Sequence, residues 1–214
     1  MVNHATFWDK IAPNYAKSKI SNPEGYEYTL GRTRSHLGKD DRVLEIGSGT
    51  GSTALKLAPS VAHYLATDIS EGMTDIARHK ISQAGLDNIS AEAADLSSLP
   101  PTEGGYGAVL AFNLMHLLPD IDVALQQIAA LIRPGGLFIQ KTPLGYDSGT
   151  PLKFRLIQGV IPLMQLVGKA PRPVVFPRPS QMTEMVERAG FDLIERHIDS
   201  SFPQRHYIVA RKRP

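Results

Sequence analysis

The sequence predicts an α/β fold: a doubly wound, mostly parallel seven-stranded sheet with an antiparallel last strand. Apolar runs of strand length alternate with helix-like patterns along most of the chain, which is typical of βαβ units. The first apolar run is followed by a glycine-rich turn from Gly47 to Gly51. The last two runs, Phe191–Ile198 and His206–Arg211, are joined by a connection too short for a crossover helix, so they should pair antiparallel.

Each element follows from its own residues. Ser70 predicts a helix N-cap, with Glu71 in the first turn and Gly85 as the stop. Pro59 should end the helix that follows the glycine turn. The other predicted strands are Arg42–Ile46, His63–Thr67, Ile89–Ala93, Gly107–Phe112 and Leu137–Thr142. The predicted helices are Asn22–Leu37, 52–58, Ser70–Ala84, Asp120–Ile132 and Ser180–Ala189.

Length and composition limit the class of protein. The chain has 214 residues, 42% of them apolar, which suits one α/β domain with a sizeable core. The net charge of +2 does not favour a nucleic-acid partner. We interpret the basic run Arg211–Arg213 as a solvated tail. With no cysteine, disulfides and thiolate chemistry are excluded, and we predict no metal site. The oligomeric state is left open.

No targeting or membrane-spanning segment is expected from the sequence. The N-terminal residues lack a basic region followed by an apolar stretch, as a signal peptide would have. No apolar run reaches the roughly 18 residues that a spanning helix needs. The cytoplasm is therefore the expected compartment.

The single predicted domain, 1–214, divides into four parts. These are an N-terminal cap segment (1–38), a core (40–142), an insert (143–179), and a final helix and hairpin (180–214). From Ser148 to Thr183 the chain has several cations and no acid. We predict either an apolar, cationic lid over a hydrophobic or anionic substrate, with Lys153 and Arg155 binding it, or a helix that completes the core. Peripheral membrane contact is a weaker alternative.

Polar residues follow the strands at the edge where ligands bind in open α/β sheets. Glycines at the 47–51 turn let a ligand approach the backbone near helix N–H groups. The Asp68 carboxylate can accept hydrogen bonds from ribose hydroxyls, or can merely cap a helix. Asp95 can meet an adenine amino group, or can form a local turn with its own backbone. His116 is a weak candidate for a general base, with a packing role favoured.

These residues carry a family resemblance. The stretch 43–51 (Val-Leu-Glu-Ile-Gly-Ser-Gly-Thr-Gly), Asp68-Ile-Ser with Met73, Ala94-Asp95 and Leu-Ile-Arg-Pro-Gly-Gly at 131–136 resemble successive motifs of class I S-adenosylmethionine-dependent methyltransferases. The segment from Phe7 to Tyr15 is similar to the N-terminal flap of the quinone-biosynthesis and phospholipid N-methylating branches. The usual Arg-Asn pair of the quinone branch is missing after the fourth strand. The resemblance implies a Rossmann-like methyltransferase fold.

The resemblance also implies how the cofactor S-adenosyl-L-methionine is held. The backbone of the glycine turn lies along its methionine part with Glu45 near the ammonium, and Asp68 holds the ribose. The adenine meets Ile69 and Met73, and Asp95 and Leu96 close its edge. Asn113 borders the sulfonium, and Tyr15 caps the site. The full set of predicted cofactor-binding residues is Tyr15, Glu45, Gly47, Ser48, Gly49, Gly51, Asp68, Ile69, Met73, Asp95, Leu96 and Asn113.

The implied reaction is methyl transfer to an O, N or C nucleophile of a small molecule. The sulfur is an activated leaving group, so alignment and exclusion of water can supply most of the catalysis, and no catalytic residue is assigned. His116 is also a candidate for substrate binding. A nicotinamide-dependent oxidoreductase is disfavoured because Ser52 stands where Gly-x-Gly-x-x-Gly needs its third glycine. A cofactor-binding regulator without activity stays open, as does a methyltransferase acting on protein or nucleic acid.

Overall fold

A seven-stranded sheet forms the centre of the protein. The computed structural model describes residues 4–199 and 202–214, so 1–3 of the predicted cap segment and 200–201 of the final part lie outside the described residues. The strands are β1 (Arg42–Ile46), β2 (His63–Asp68), β3 (Ile89–Ala93), β4 (Tyr106–Phe112), β5 (Ile132–Pro143), β6 (Phe191–Asp199) and β7 (Arg205–Lys212). Their order is β3-β2-β1-β4-β5-β7-β6.

Strand directions confirm the predicted fold class. Strands β1 to β5 are parallel, while β7 runs antiparallel to both of its neighbours, β5 and β6. The order reverses between β1 and β4, which is the point where open α/β sheets bind ligands. The sheet therefore places the ends of β1 to β4 around one potential site.

Helices cover both faces of the sheet, so the fold is doubly wound. The helices are α1 (His4–Ala16), α2 (Pro23–His36), α3 (Ser52–Leu57), α4 (Glu71–Ala84), α5 (Ile121–Leu131), α6 (Leu152–Leu166) and α7 (Pro179–Arg188). Alternate residues of β4 face opposite cores: Ala108 and Leu110 pack with α2, α3 and α4, while Val109 and Ala111 pack with α5 and α7. Three 3₁₀ turns add to these: Ala58–Ser60, Leu96–Ser98 and Met115–Leu117.

Capping residues fix the helix that leads away from β2. Ser70 accepts a hydrogen bond from the backbone N–H of Met73, and Gly85 closes α4 in the left-handed conformation. Both were predicted, and α4 ends at Ala84 as expected. A bidentate ion pair then ties α2 to β6, since both nitrogens of the Arg32 fork reach Glu195 at 2.6 and 2.8 Å. These contacts position the elements on either side of the site.

Strand β5 is longer than predicted. It begins at Ile132, which pairs with Tyr106, and the register then shifts before Leu137 pairs with Ala108. Gly136 lies so close to β4 that a Cβ atom there would stand 2.9 Å from the carbonyl oxygen of Gly107. The Pro-Gly-Gly sequence at 134–136 is therefore an irregularity inside β5.

Helix α1 was not predicted from the sequence, and α6 was predicted only as one of two alternatives for the insert. Helix α1 contains Pro13, and α6 contains Pro162. Of the residues in α6 only Phe154 is buried, and it contacts the rings of Tyr146, Phe176 and Phe202. The expectation that this segment completes the core is therefore wrong for its remaining apolar side chains, which stay exposed.

Candidate functional site

A cavity of about 400 Å³ lies at the carboxyl ends of β1 to β4. Its size lies within the range typical of small-molecule sites. Most of the residues predicted to bind the cofactor line it: Tyr15, Gly47, Gly49, Asp68, Ile69, Met73, Asp95, Leu96 and Asn113. The strand ends thus bring together residues that are up to 98 positions apart in the chain.

The glycine turn supplies a bare stretch of backbone to this cavity. Gly47 and Gly49 have φ angles of +66° and +54°, a conformation that side chains with a Cβ atom rarely adopt. A Cβ atom on Gly47 would stand 2.8 Å from Leu114, whereas one on Gly49 would meet nothing nearer than Tyr15 at 3.7 Å. Gly49 is therefore the position at which a ligand can come closest to the main chain.

Ser48 and Gly51, both predicted to bind the cofactor, are not among the residues that line the cavity. The backbone N–H of Ser48 donates to the carbonyl oxygen of Thr67 at 2.9 Å, so this donor is already used within the sheet. Gly51 has φ +70°, and a Cβ atom there would lie 2.9 Å from that of Ala77 on α4. Ser48 thus joins β1 to β2 and Gly51 allows α3 and α4 to pack, and the contact of both residues with a cofactor stays a prediction.

Asp68 joins the glycine turn to the start of α4. One carboxylate oxygen accepts from the backbone N–H of Gly49 at 2.9 Å, and the other from that of Ser70 at 3.0 Å. Burial raises the pKa of Asp68, while these two hydrogen bonds act in the opposite direction. The N-cap of α4 is Ser70, and Asp68 supports it by accepting from its backbone N–H, so both roles weighed for Asp68 stay open. Each oxygen keeps a lone pair for a ligand hydroxyl.

Glu45 lies behind the cavity and does not line it. Its side chain is buried, and the hydroxyl of Tyr64 donates to Oε2 at 2.8 Å. Burial raises the pKa of Glu45 to about 7, the negative charge of Asp68 adds to the shift, and the Tyr64 hydrogen bond opposes it. A positively charged ligand group near the turn would favour the ionised carboxylate. Its predicted place near the ammonium of the cofactor stays a prediction.

Helix α1 brings two aromatic side chains over the glycine turn. Trp8 and Tyr15 both line the cavity and form an edge-to-face pair with ring centres 6.4 Å apart. Asp9 anchors the helix, because its Oδ1 accepts from the hydroxyl of Ser70 at 2.6 Å and from the N–H of Gly72 at 3.0 Å. From the sequence, Trp8 was placed in the flap-like segment that helps to cover the site, whereas Asp9 was given no role of its own.

Tyr15 has an unusual electrostatic setting. Burial of its hydroxyl raises its pKa, the carboxylates of Asp68 and Glu45 raise it further, and the guanidinium of Arg205 opposes them. The hydroxyl therefore stays protonated and available as a donor at neutral pH. Tyr15 therefore lies on the side of the cavity where the positive charge of Arg205 is felt.

The other end of the cavity is an apolar slot. Leu96 forms one wall, and residues at the start of α5 and in the turn before it form the other. Asp95 stands at the rim, where its Oδ1 accepts from both the backbone N–H and the hydroxyl of Ser97. Asp95 therefore makes the local turn that the sequence left open, and it lines the cavity as well. The apolar side chains of the facing wall are Leu117, Leu118, Val123 and Ala124.

Asn113 ends β4 in a strained conformation. With φ +55° it is the one non-glycine residue with a positive φ in the described part of the chain. Asparagine tolerates this region better than most residues, and it allows the backbone N–H to donate to the carbonyl oxygen of Lys141 at 2.6 Å. The chain is thereby turned so that Leu114 packs over Gly47.

His116 lies beside the cavity and does not line it. Its Nδ1 atom is 3.0 Å from the hydroxyl of Thr142, and its ring stacks on Phe176. Burial lowers the pKa of His116 to about 4, and the charge of Arg205 contributes. The imidazole is thus neutral at pH 7 and a weak base. This geometry fits the packing role better than that of a general base.

Lys153 and Arg155 also stand apart from this cavity. Both are exposed on α6, and the Lys153 ammonium lies 4.7 Å from the ring centre of Phe202. The aromatic cluster around Phe154 lies under their helix, and their predicted contact with a substrate stays a prediction. The two cations belong to an outer surface.

Sequence reasoning missed much of the cavity wall. Ile46 and Phe112 complete the strand ends, and Gln127 comes from α5. Such apolar residues give no local signal that separates a ligand wall from a core. Trp8 could have been found, because it is the chain's single tryptophan and lies in a segment already marked by aromatic residues.

Comparison with known sequences identifies the type of domain that surrounds this cavity. Residues 43–136 match the family described as methyltransferase domain. The chain is 32% identical over 100 residues to demethylmenaquinone methyltransferase of Clavibacter sepedonicus and 36% identical over 100 residues to fatty-acid O-methyltransferase of Mycolicibacterium smegmatis. Each match covers 46% of this chain, and 40% and 35% of the respective relative. The curated relatives are matched over between 4% and 54% of their own length.

Two solved structures share the fold over nearly the whole chain. The [4+2]-cyclase SpnF superposes with a TM-score of 0.79 at 16% identity, over 98% of this chain and 94% of that one. Phosphoethanolamine N-methyltransferase 2 of Haemonchus contortus, in complex with S-adenosyl-L-methionine, gives 0.77 at 13% identity, over 100% of this chain and 61% of that one. At such low identity these similarities establish the architecture alone.

Proposed function

We propose that this chain, which belongs to the class I S-adenosylmethionine-dependent methyltransferase family, binds S-adenosyl-L-methionine and methylates a small, hydrophobic or anionic molecule at an O, N or C atom. The observation that carries the proposal is the cavity at the ends of β1 to β4. There the open main chain of Gly49, the carboxylate of Asp68 and apolar side chains such as Leu96 line one cavity. These are the three kinds of contact that the parts of this cofactor require.

The residues present fit the cofactor. Gly49 offers an open main chain for the methionine part, with the buried carboxylate of Glu45 behind it to balance the ammonium charge. The free lone pairs of Asp68 suit the ribose hydroxyls. The slot between Leu96 and Leu118 suits the flat adenine, with Asp95 at its rim. Ile69 and Met73 complete the wall of the same cavity.

When bound, S-adenosylmethionine supplies an electrophilic methyl group on a positively charged sulfur. The work left to the protein is alignment of the acceptor and exclusion of water, which together can recover about 7–11 kcal/mol of the barrier. Trp8 and Tyr15 on α1 cover the glycine turn and can exclude water there. An aromatic face is also a favourable neighbour for a cation. His116, neutral at pH 7 and stacked on Phe176 beside the cavity, is not assigned as a base.

The chemistry of the acceptor side supports a hydrophobic or anionic substrate. Four aromatic rings cluster beneath α6, and one of them, Phe176, stacks on His116. Apolar side chains such as Phe112, Leu114 and Leu117 line the cavity, which suits an acceptor with an apolar body. The charge of Arg205 also opposes the rise in the pKa of Tyr15 at the cavity wall. Two relatives are named for a fatty acid and for demethylmenaquinone, which agrees with this class.

Two alternative functions predict different ligands. A nicotinamide-dependent oxidoreductase would need NAD at the same turn. A protein that binds the cofactor without transferring its methyl group keeps the same cavity, and a solved structure with this fold is described as a cyclase. The two are separated by which molecule binds and by whether a methyl group is transferred.

Calorimetry and a transfer assay test the proposal. We expect S-adenosylmethionine and S-adenosylhomocysteine to bind, and NAD not to bind comparably. Radiolabelled methyl transfer is then measured to a panel of fatty, aromatic and quinol acceptors, with His116→Phe as the variant that removes the imidazole. Binding of NAD alone would refute the cofactor assignment. Binding of S-adenosylhomocysteine without transfer to any acceptor would favour the regulator.

A further inference from the structure

Helix α6 presents an apolar face to solvent. Four of its side chains that recur every three or four residues are between 49% and 70% exposed: Leu152, Leu156, Val160 and Leu163. Residues at this spacing lie on one side of a helix. Phe154 points the other way into the aromatic cluster, and Val167, just beyond the helix end, continues the exposed row at 59%. This row, from Leu152 to Val167, is called the α6 face below.

Positive charge surrounds the α6 face, and negative charge is missing from it. Lys153 and Arg155 flank its first turn, and Lys169 and Arg172 follow its end. Between positions 148 and 183 the sequence has no Asp or Glu. Within the described residues, none of these four cations forms an ion pair with an acid. The surface therefore combines exposed leucines with uncompensated positive charge.

We propose that the α6 face docks on an anionic lipid bilayer, with its leucines in the interface and its cations on the headgroups. A helix with one apolar side and Lys or Arg at its margins is the arrangement that binds in the plane of an anionic membrane. Among the described helices none is long and apolar enough to cross a bilayer, so α6 would lie on the surface. The proposal goes beyond the methyl transfer and does not depend on it.

A second copy of the chain suits this face less well. In a two-fold dimer the same patch meets itself, so the cations of both copies would face one another without an acid between them. The helix is 15 residues long, and a face about 22 Å by 10 Å supplies far less than the roughly 800 Å² per partner of a stable interface. Anionic headgroups complement the charge and need no matching protein surface.

The position of α6 connects this surface with the acceptor side of the site. Phe154, on its inner side, contacts Phe176 with ring centres 5.2 Å apart, and Phe176 stacks on His116. A protein docked through the α6 face would therefore hold the aromatic cluster directly above the bilayer. A lipid-like molecule leaving the membrane would have a short path to that cluster.

Vesicle co-sedimentation of the full chain tests the proposal. The probes are vesicles of phosphatidylcholine alone and vesicles in which roughly one third is phosphatidylglycerol. We expect binding to the anionic vesicles, and at least a roughly ten-fold loss in Leu156→Ser/Leu163→Ser, because two partly exposed leucines no longer enter the interface. Lys169→Gln/Arg172→Gln should lose roughly five-fold per cation. The control is Ile194→Ser/Ile198→Ser, which removes two equally apolar exposed side chains from β6.

Three results would overturn the docking proposal. The first is the absence of binding to anionic vesicles. The second is binding that is unchanged in Leu156→Ser/Leu163→Ser, or binding that is equally strong on neutral vesicles. The third is self-association in sedimentation velocity that the leucine variant abolishes, with no vesicle binding, which would assign the face to a second copy. Calorimetry with S-adenosylhomocysteine on the same variants keeps this outcome separate from that of the proposed function, since neither leucine lines the cofactor cavity.

Discussion

Glu45→Gln should make the protein more stable at alkaline pH. The Glu45 side chain is buried, with the Tyr64 hydroxyl donating to it, and burial raises its pKa from 4.5 to about 7. A carboxyl group that holds its proton more tightly in the folded state contributes stability below the unfolded pKa. That contribution is lost as the pH rises through the folded pKa. The relevant window is therefore from about pH 4.5 to about pH 7.

The magnitude follows from the size of the shift. Each unit of pKa difference corresponds to about 1.4 kcal/mol, so ionised Glu45 costs up to about 3 kcal/mol above pH 7. Glutamine keeps the shape and an acceptor for Tyr64 but does not ionise. We expect the variant to gain up to about 3 kcal/mol at pH 8 and to match the parent near pH 4.5. For a chain of this length the gain corresponds to roughly 6–12 °C in Tm.

Urea unfolding at pH 5 and pH 8 measures this difference. Glu92→Gln, at an exposed position of β3, controls for the loss of a carboxylate. If both variants respond alike to pH, then Glu45 does not carry the predicted shift and the reasoning fails. If Glu45→Gln is more stable than the parent at pH 8 but binds the cofactor more weakly, then the Glu45 carboxylate lowers stability and contributes to binding.

Further predictions concern the turn and α1. Asp68→Asn should weaken S-adenosylhomocysteine binding by about 2 kcal/mol in calorimetry, because a charged acceptor is lost; unchanged affinity would remove Asp68 from the ribose site. Gly51→Ala should destabilise the protein by about 1–3 kcal/mol more than Gly85→Ala in thermal unfolding. Both positions have positive φ, but only at Gly51 does the new Cβ meet Ala77. Asp9→Ala should speed amide exchange in α1 and leave β1 to β4 unchanged, since its bonds to the start of α4 are lost; equal exchange would show that other contacts hold the helix.

The elements that could be predicted are those whose boundaries depend on local chemistry. Strands β1 and β3 have the predicted bounds, and α4 runs from its serine cap to the glycine that closes it. In these cases the residue that starts or ends the element acts on its own backbone. By contrast, α1 and α6 contain Pro13 and Pro162, and what keeps them helical is not visible in the local pattern. The Asp9 anchor and the Phe154 contacts are long-range.

The candidate site divides in the same way. Asp68 and the glycine turn were found because few structural needs place a carboxylate and three glycines at strand ends. The roles within the turn could not be assigned, because glycine serves two purposes there. Gly49 leaves room for a ligand, whereas Gly51 leaves room for α4. The leucines of the cavity wall were missed because the local sequence pattern around a leucine does not show whether its side chain faces a ligand or a core.

The place of β7 in the sheet sets the order of assembly during synthesis. Strand β6 is made first, yet β7 lies between it and β5, so β6 has no partner in the sheet until residues 205–212 have been made. Until then β5, which is buried from Gly136 onward in the finished protein, has an unpaired edge. Such edges invite pairing with other chains. A nascent chain that has not yet reached residue 212 therefore holds the buried part of β5 beside an open sheet edge that only β7 closes.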